Sequence, residues 1–406
     1  MAFNIALSGL NAASSDLEVT ANNIANTATT GFKGSRAEFA ELYSAAGRNL
    51  SSTQIGSGVR LTNVAQQFKA GNVETTGNSL DFAISGDGFF TLRDGQGLSY
   101  TRAGAFRQDA NGFVVNASGQ NLQVFPANAN GGFDNSTLSN LRLITSQNAA
   151  KATSNVQMAL NLPSNATAPV NPFSATDATS FNQATPFTAY DSLGATHSGT
   201  VYFVKNAAAN SWTARLYVDG VDTGATQPMT FTSSGALATP VGGMLAFPAI
   251  SPSPGADPLK LSLDMSKATQ FGNSYAAGSI TADGYPTGTL SSIDVSSSGI
   301  VQAKFSNGQS QALGQLAMAN FANLQGLRKI DNTNWAASFD SGTPVMGAAG
   351  SGTYGSVQSG ALEASNTADL TGQLVNLIKA QRNYQANAQV ISTDDKLTQT
   401  IINIRN

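Results

Sequence analysis

Apolar residues recur at heptad spacing in this chain only near its two ends, and that restriction constrains the fold more than any other feature. At the amino end Phe3, Leu10, Leu17 and Ile24 follow one another every seven residues, with Ala6, Ala13 and Thr20 at the intermediate position. This is the a/d pattern of a helix that lays one seam against another helix, and the helix is expected to end before Gly31. At the carboxyl end Leu370, Leu377, Tyr384, Ile391 and Thr398 mark one heptad position. Leu374, Gln381, Ala388, Asp395 and Ile402 mark the other, and Ile378, Leu397, Ile401 and Ile404 widen the stripe. Ser365 or Asn366 is expected to cap this helix, with Asp369 in its first turn, where a carboxylate suits the helix dipole. At about 1.5 Å per residue it reaches ~55 Å. An amphipathic helix ordinarily packs on a globular core. Here the intervening chain reads almost entirely as strand, which leaves the helices each other and neighbouring molecules to pack on. Gln381 and Asp395 inside the stripe are expected to fix register, because a polar seam residue penalises misaligned pairings.

Between the helices the pattern shifts to alternation. Leu80, Phe82 and Ile84 alternate with Asp81 and Ala83 before a turn at Gly86-Asp87-Gly88, and Phe89 to Leu92 runs on as a strand. Asn111-Gly112 and Asn307-Gly308 supply the backbone angles that tight hairpins need. Phe113-Val114-Val115 and Val301 to Phe305 have strand composition. The stretch from about 146 to 281 is richer in Pro, Ser and Thr, with strands expected at Thr200 to Val204, Trp212 to Val218 and Lys260 to Leu263. At 406 residues the chain exceeds one ordinary core. The fold class expected is mainly β with α-helical termini: a coiled-coil-like inner layer from the two helices, with two β-rich domains nested between them. The expected divisions are 1–30 with 364–406 as the helical domain and 31–71 as a Gly-rich compliant connector carrying Gly47, Gly56 and Gly58. Residues 72–145 with 282–363 form a middle β domain, and 146–281 an inserted outer β domain that folds by itself.

Composition removes most chemistry. There is no cysteine, which excludes disulfides, thiolate metal sites and Cys nucleophiles together. The sole histidine, His197, cannot supply a zinc site alone and reads as a polar residue of a strand or loop. Gly86-Asp87-Gly88 has no helix after it to hold a phosphate, so it reads as a turn. Asp109-Ala110-Asn111-Gly112 opens like a calcium loop, yet Gln120 stands where the closing bidentate acid belongs. The Asn-x-Ser/Thr triplets at Asn49, Asn116, Asn135 and Asn165 carry little weight in a chain so rich in Ser and Thr. No catalytic, metal or cofactor-binding residue is expected. Charged residues are only 11% and the formal charge of -3 has no basic run behind it, so neither nucleic acid nor an anionic membrane surface is an expected partner. The amino terminus lacks the pattern of a secretory signal and no window is apolar enough to insert in a membrane. Few charges, no Cys and abundant Ser, Thr and Gly nevertheless look extracellular, a conflict that signal-independent export resolves.

Taken together, the terminal segments resemble the axial proteins of the bacterial flagellum. The stretch ANNIANTATTGFK, with Asn22, Asn23, Ile24, Ala25, Asn26, Gly31, Phe32 and Lys33, is similar to the rod and hook signature. The stretch from Gly360, GALEASNTADLTGQLVNLIKAQRNYQANAQVIST, with Gln381, Arg382 and Tyr384, is similar to the matching carboxyl-terminal one. Gly86-Asp87-Gly88-Phe89-Phe90 and Tyr100-Thr101-Arg102-Ala103-Gly104 match the strand region. Tyr190-Asp191-Ser192-Leu193-Gly194 with His197, and Asp283-Gly284-Tyr285 leading to Ser306-Asn307-Gly308-Gln309, resemble the insert of the hook branch, which the shorter rod members lack. The resemblance implies a structural subunit, not an enzyme, that self-assembles into a flexible curved tube: a universal joint passing torque from rod to filament. It implies unfolded, signal-free export by the flagellar type III apparatus to the cell exterior. The partners it implies are further copies of the chain, rod proteins, hook-filament junction proteins, the hook cap and the export apparatus. The polymerisation seam would comprise Phe3, Leu10, Leu17, Ile24, Leu370, Leu374, Leu377, Tyr384, Ile391 and Ile402. Helices poor in partners of their own would be loose in the free subunit and fold as neighbours bury the seam. The rival readings are a distal rod protein, a secreted β-rich adhesin, a phage tail-tube subunit and a glycan-cleaving enzyme. The adhesin should carry a signal peptide and an anchor, the tail tube has no reason for paired terminal heptads, and the enzyme wants converging carboxylates.

Overall fold

In the computed structural model the described residues are 2–42, 56–128, 131–143, 147–251 and 254–405. The expected connector glycine Gly47 lies outside them. The chain is mainly β, opened by a helix α1 (Ala2–Ala25) and closed by a helix α2 (Leu370–Arg405). It divides into two compact units: Met1–Ile144 with Ser292–Ala303 and Ser310–Asn406, and Thr145–Ser291 with Lys304–Gln309.

The first unit holds the helices and a sheet built around Phe89–Asp94, Asn121–Phe125 and Ser310–Asn320. Its core is Phe82, Phe90, Leu92, Leu122, Val124, Val301, Leu316 and Met318. Beside it lies an aromatic cluster in which Phe89 meets Trp335 at 5.6 Å and Tyr100 meets Phe321 at 4.8 Å between centroids. Gly112, at φ +86, turns the hairpin between Arg107–Gln108 and Val114–Val115. The would-be calcium residue Asp109 instead accepts the N–H groups of Asn111 and Phe113, which fixes that same turn.

The segment expected to be a compliant connector contains a two-stranded antiparallel ribbon, Ser35–Glu41 with Val59–Gln66. The ribbon packs along α1. There the Val59 N–H donates to Ser8 Oγ at 3.1 Å, while the neighbouring Gly58, at φ +116, sits so close that a Cβ would strike Ser8. Composition showed the glycines but not this pairing, because ribbon formation depends on α1 offering a surface.

The second unit is a two-sheet β body. One antiparallel sheet runs Gln183–Tyr190, Thr196–Lys205, Ser211–Val218, Val221–Phe231 and Leu237–Thr239. Alternate residues Val201, Phe203, Trp212, Ala214 and Leu216 point into a core shared with Met158, Leu160 and Leu162 of Asn155–Pro163. That strand centres the second sheet, parallel to Ser262–Asp264 and Thr269–Phe271 and antiparallel to Ala276–Ala282. The opposite face of the first sheet is also covered: Tyr202 and Tyr217 pack on Phe173 at 5.4 and 5.9 Å, and Arg215 lies 4.7 Å over the Phe173 ring.

The cap of α2 differs from expectation. Asp369 Oδ1 accepts the Gly372 N–H at 3.1 Å, so the aspartate itself caps the first turn. Ser365 and Asn366 are engaged elsewhere: Ser365 Oγ accepts from Thr367 N–H, and Asn366 bonds to Gly34 and to the Gln67 carbonyl. Asn366 is drawn off by long-range partners and Ser365 by the turn it makes with Thr367, which spacing alone could not show.

Candidate assembly surface

α1 and α2 pack antiparallel, with Asn23 beside Thr367 at one end and Gly9 facing Asn387 further along. The contact is made by small groups. Ala6, Ala13, Thr20 and Ala380 are buried, and a Cβ at Gly9 would lie 2.5 Å from Asn387 Oδ1. Small side chains let the axes approach closely. The intermediate heptad position of α1, rather than its large-residue position, therefore fills the middle of the contact. Leu10, Leu17 and Ile24 are half-buried at its margin, as are Leu377 and Ile391, while Phe3, Leu370, Leu374, Tyr384 and Ile402 stand exposed. Gln381 and Asp395, expected to fix register, are exposed in the single chain, and so is Arg382.

α2 carries a second apolar stripe that the heptad reading missed as a separate face. At ~100° per residue, Val375 and Ile378 fall on the side turned away from Ala380, while Val390, Leu397 and Ile401 lie on its flank, about 60–100° round the helix. They are exposed, Val375 at 60% and Ile401 at 67%. Ile378, Leu397 and Ile401 were visible as a widening of the stripe, whereas Val375 and Val390 lie off the a/d positions. A helix that leaves apolar side chains exposed beside an occupied contact has surface for a second partner. With Gly9 facing Asn387, the start of α1 lies near residue 394, so about eleven residues of α2, or ~16 Å, extend past its partner.

At the other end of the helix pair the signature residues converge. Asn23 Nδ2 donates to the Ser35 carbonyl and Asn23 Oδ1 accepts the Ser35 N–H, at 2.8 and 2.9 Å. Asn26 closes the helix end by donating to the Asn22 carbonyl, while Asn22 and Ala25 are exposed. Gly31, at φ +66, donates its N–H to the Glu363 carbonyl at 2.8 Å, and a Cβ there would stand 2.4 Å from the Ala103 nitrogen. Phe32 is buried beneath Lys329, whose Nζ is 5.0 Å from the ring centre.

Lys33, Arg102 and Glu363, all buried, form one ionic cluster. Lys33 Nζ donates to Glu363 Oε1 at 2.5 Å and to the Lys69 carbonyl at 2.9 Å. Arg102 Nη1 reaches Glu363 Oε2 at 3.4 Å, Arg102 Nη2 donates to the Gly86 carbonyl at 2.8 Å, and the Gly71 N–H donates to Glu363 Oε1 at 2.8 Å. Burial lowers the Lys33 pKa; attraction and hydrogen bonding from Glu363 oppose that, and the Arg102 charge adds to it. The Gly-Phe-Lys turn, the Gly86-Asp87-Gly88 turn, the Tyr-Thr-Arg-Ala-Gly strand and the carboxyl-terminal segment thus meet around a single carboxylate.

His197 lies in the other unit, bridging two turns: Nδ1 is 2.6 Å from Asp219 Oδ2 and Nε2 3.3 Å from Asp191 Oδ2. Burial works against its charge, but the hydrogen bonds and negative charges of Asp219 and Asp191 raise its pKa. Asp191 also accepts the N–H groups of Leu193 and Ala195, tying the Asp191-Ser192-Leu193-Gly194 turn to the histidine. Among the described residues no group of three or more His, Asp or Glu side chains is placed to hold a metal ion, and no helix is long and apolar enough to cross a membrane.

Four family models match successive parts of the chain. Residues 3–33 match the flagella basal body rod protein model, and 83–170 match the flagellar hook protein FlgE/F/G D1 domain. Residues 161–285 match the flagellar basal body protein FlaE D2 domain, and 358–404 match the flagellar basal body rod FlgEFG protein C-terminal model. Terminal helices matching the rod-type models, with the two flagellar β-domain models between them in sequence, place the chain in the class of flagellar axial structural proteins. The chain is 39% identical to the flagellar hook protein FlgE of Escherichia coli (strain K12) and 40% identical to that of Salmonella typhimurium (strain LT2), over 100% of each sequence. It is 30% identical to that of Borreliella burgdorferi over 98% of both. The crystal structure of Helicobacter pylori flagellar hook protein FlgE2 shares the fold, with a TM-score of 0.52 at 13% identity over 70% of this chain and 99% of that one. The chain belongs to the flagellar hook protein family, and its role is that of a hook subunit.

Proposed function

We propose that the chain polymerises through the outward stripe of α2 and the exposed Phe3 and Leu7 of α1, building the curved, flexible hook tube that passes torque from rod to filament. The observation that carries this is the set of exposed apolar side chains, Val375, Ile378, Val390, Leu397 and Ile401, spread along the back and flank of a helix that already packs against α1. Each such side chain, once buried against a neighbour, contributes roughly 1.5–3 kcal/mol. The helix pair formed within one chain is the unit that docks, so Leu377 and Ile391 serve mainly inside the subunit and the exposed apolar residues beside that contact serve between subunits. The seam residues Leu10, Leu17 and Ile24 flank the internal contact, while Leu370, Leu374, Tyr384 and Ile402 join the external one.

In this reading the subunit has no catalytic role. It leaves the cell through the flagellar export apparatus without a cleaved signal and meets rod, junction and cap proteins at the ends of its own polymer. The His197 cluster supports a structural role, since both ring nitrogens are taken by carboxylates. Electron microscopy of the purified chain under polymerising conditions tests the proposal. Helical tubes are expected from the parent chain and none from Val390→Asp or Ile401→Asp; tubes formed equally well by both variants would overturn the assignment of the stripe.

A further inference from the structure

Asp283-Gly284-Tyr285, singled out in the sequence, lies close to where the chain leaves the second unit, alongside the stretch by which it enters. The entering and leaving chains pair antiparallel as a stem. Asn148 and Gly288 exchange N–H···O bonds of 2.8 and 3.2 Å, and Lys151 and Tyr285 exchange two of 3.0 Å. The ladder resumes with Val156 opposite Ala282. Between Lys151 and Val156 the entering chain has four residues, whereas between Tyr285 and Ala282 the leaving chain has two, so the ladder loses register there. Such a mismatch ordinarily leaves amides without acceptors. Asp283 supplies them: Oδ1 accepts the N–H groups of Ser154 and Asn155, both at 2.8 Å, and Oδ2 accepts the Ser154 hydroxyl at 2.7 Å and Lys151 Nζ at 3.0 Å. Its own N–H donates to the Asn155 carbonyl at 3.1 Å. Burial works against the Asp283 charge, yet the bonds from Asn155, Ser154 and Lys151 prevail and bring its pKa down to about 2. Gly284 is required beside it, because a Cβ there would stand 2.2 Å from Thr153 Oγ1. Thr153 ties in a third chain: its N–H donates to the Tyr190 carbonyl and its Oγ1 accepts the Tyr190 N–H, both at 2.8 Å.

We propose that Asp283 is a mechanical clamp: it joins the entering and leaving chains across the register shift, so that tension on the two connections reaches the core of the second unit only after its bonds have broken together. The chains run side by side to the same end of the stem, and force pulling them apart there unzips the ladder one rung at a time. The rungs at Asn148 and Lys151 hold two bonds each and open first. At the shift the opening front meets one carboxylate holding four donors, two of them backbone N–H groups. Bonds to a charged acceptor are about twice as strong as neutral ones. The Lys151 ion pair, half exposed at the lysine, adds little. Immediately beyond lie Val156 and Met158 of the buried core. Such a clamp suits a subunit of a tube that passes torque, but it depends on the second unit alone and not on which surface joins subunits.

Force spectroscopy on the full chain tests the clamp. The chain has no cysteine, so Gln147→Cys and Thr289→Cys give two unique handles at the open end of the stem. Under constant tension Asp283→Ala should open the second unit about 10- to 100-fold faster than the parent, the effect of losing a hydrogen-bonded charged acceptor. Lys151→Ala should change the rate by less than about threefold. An opening rate untouched by Asp283→Ala would overturn the proposal. Hydrogen exchange at rest needs no variant: in the parent, the Ser154 and Asn155 amides should exchange at least ~10-fold more slowly than those of Asn148 and Lys151, and equal or faster exchange at Ser154 and Asn155 would also overturn it. Asp283→Asn, which keeps the shape, should speed exchange at Ser154 and Asn155 about 10-fold while the strand around Trp212 exchanges as before. An equal rise at Trp212 would make Asp283 a general stabiliser of the unit and sink the clamp.

Discussion

The second unit and the helix pair of the first solve the problem of apolar surface in opposite ways. The second unit closes a core of its own and leaves its exposed apolar residues, such as Val170, Val221 and Val241, scattered: Val201, Phe203, Trp212 and Leu216 are buried, and the far face of the sheet is roofed by Phe173 and Phe181. α2 leaves Val375, Ile378, Val390, Leu397 and Ile401 in water. A body that must stand alone satisfies its own surface, while an element that must polymerise retains apolar surface for a neighbour. The difference teaches where stability and assembly reside. Substitutions in the first region should act on folding, and substitutions on the outer side of α2 should act on association.

The largest effect expected from breaking that contrast comes from the closed core. Trp212→Ala removes a fully buried ring and should cost the second unit roughly 3–5 kcal/mol, seen in calorimetry as loss or steep lowering of that unit's transition. A downward shift of under a degree would mean the core is far more plastic than its packing indicates. Next comes the inner side of the helix pair. Ala380→Asp puts a carboxylate at a 0% exposed position and should cost about 2–4 kcal/mol, measured as increased exchange along α1 and loss of helical circular dichroism. Retention of full helicity and protection would show that α1 and α2 hold without their small-residue contact.

Ile401→Asp sharpens the comparison from the other side. The residue is 67% exposed and lies past the end of α1, so monomer melting should change by less than ~0.5 kcal/mol while sedimentation shows assembly lost. A clear drop in monomer melting would place the outer stripe in the subunit's own core.

The smallest effect is the pH dependence of the second unit. His197 has a folded-state pKa above 6.5 because Asp219 and Asp191 bond and attract its cation. Its stabilisation is therefore complete below about pH 6.5 and is lost as pH rises through the raised pKa. Melting of the second unit should accordingly fall on the alkaline side of neutrality, and His197→Gln should flatten that slope. As the chain's one histidine, its proton resonances report the titration without ambiguity; titration at or below 6.5 would contradict the geometry.

The sequence by itself determined what is local. Heptad spacing in Phe3 to Ile24 and Leu370 to Ile402 made the terminal helices legible, because side chains three and four apart share a helix face whatever surrounds them. Alternation marked Thr200 to Val204 and Trp212 to Val218 as strands for the same reason. Asn111-Gly112 marked a hairpin because only certain residues take its backbone angles. The tertiary structure alone decided which face of α2 meets α1, since Leu377 and Val390 are equally apolar and only the antiparallel register with Gly9 separates them. It alone decided that Asn366 bridges Gly34 and Gln67 instead of capping a helix. The roles of Lys33, Arg102 and Glu363 were likewise out of reach: the signature residues could be read off the chain, but their chemistry is a meeting of groups hundreds of positions apart. No local pattern encodes such a contact, because its energy exists only when the fold has removed water from all three charges at once.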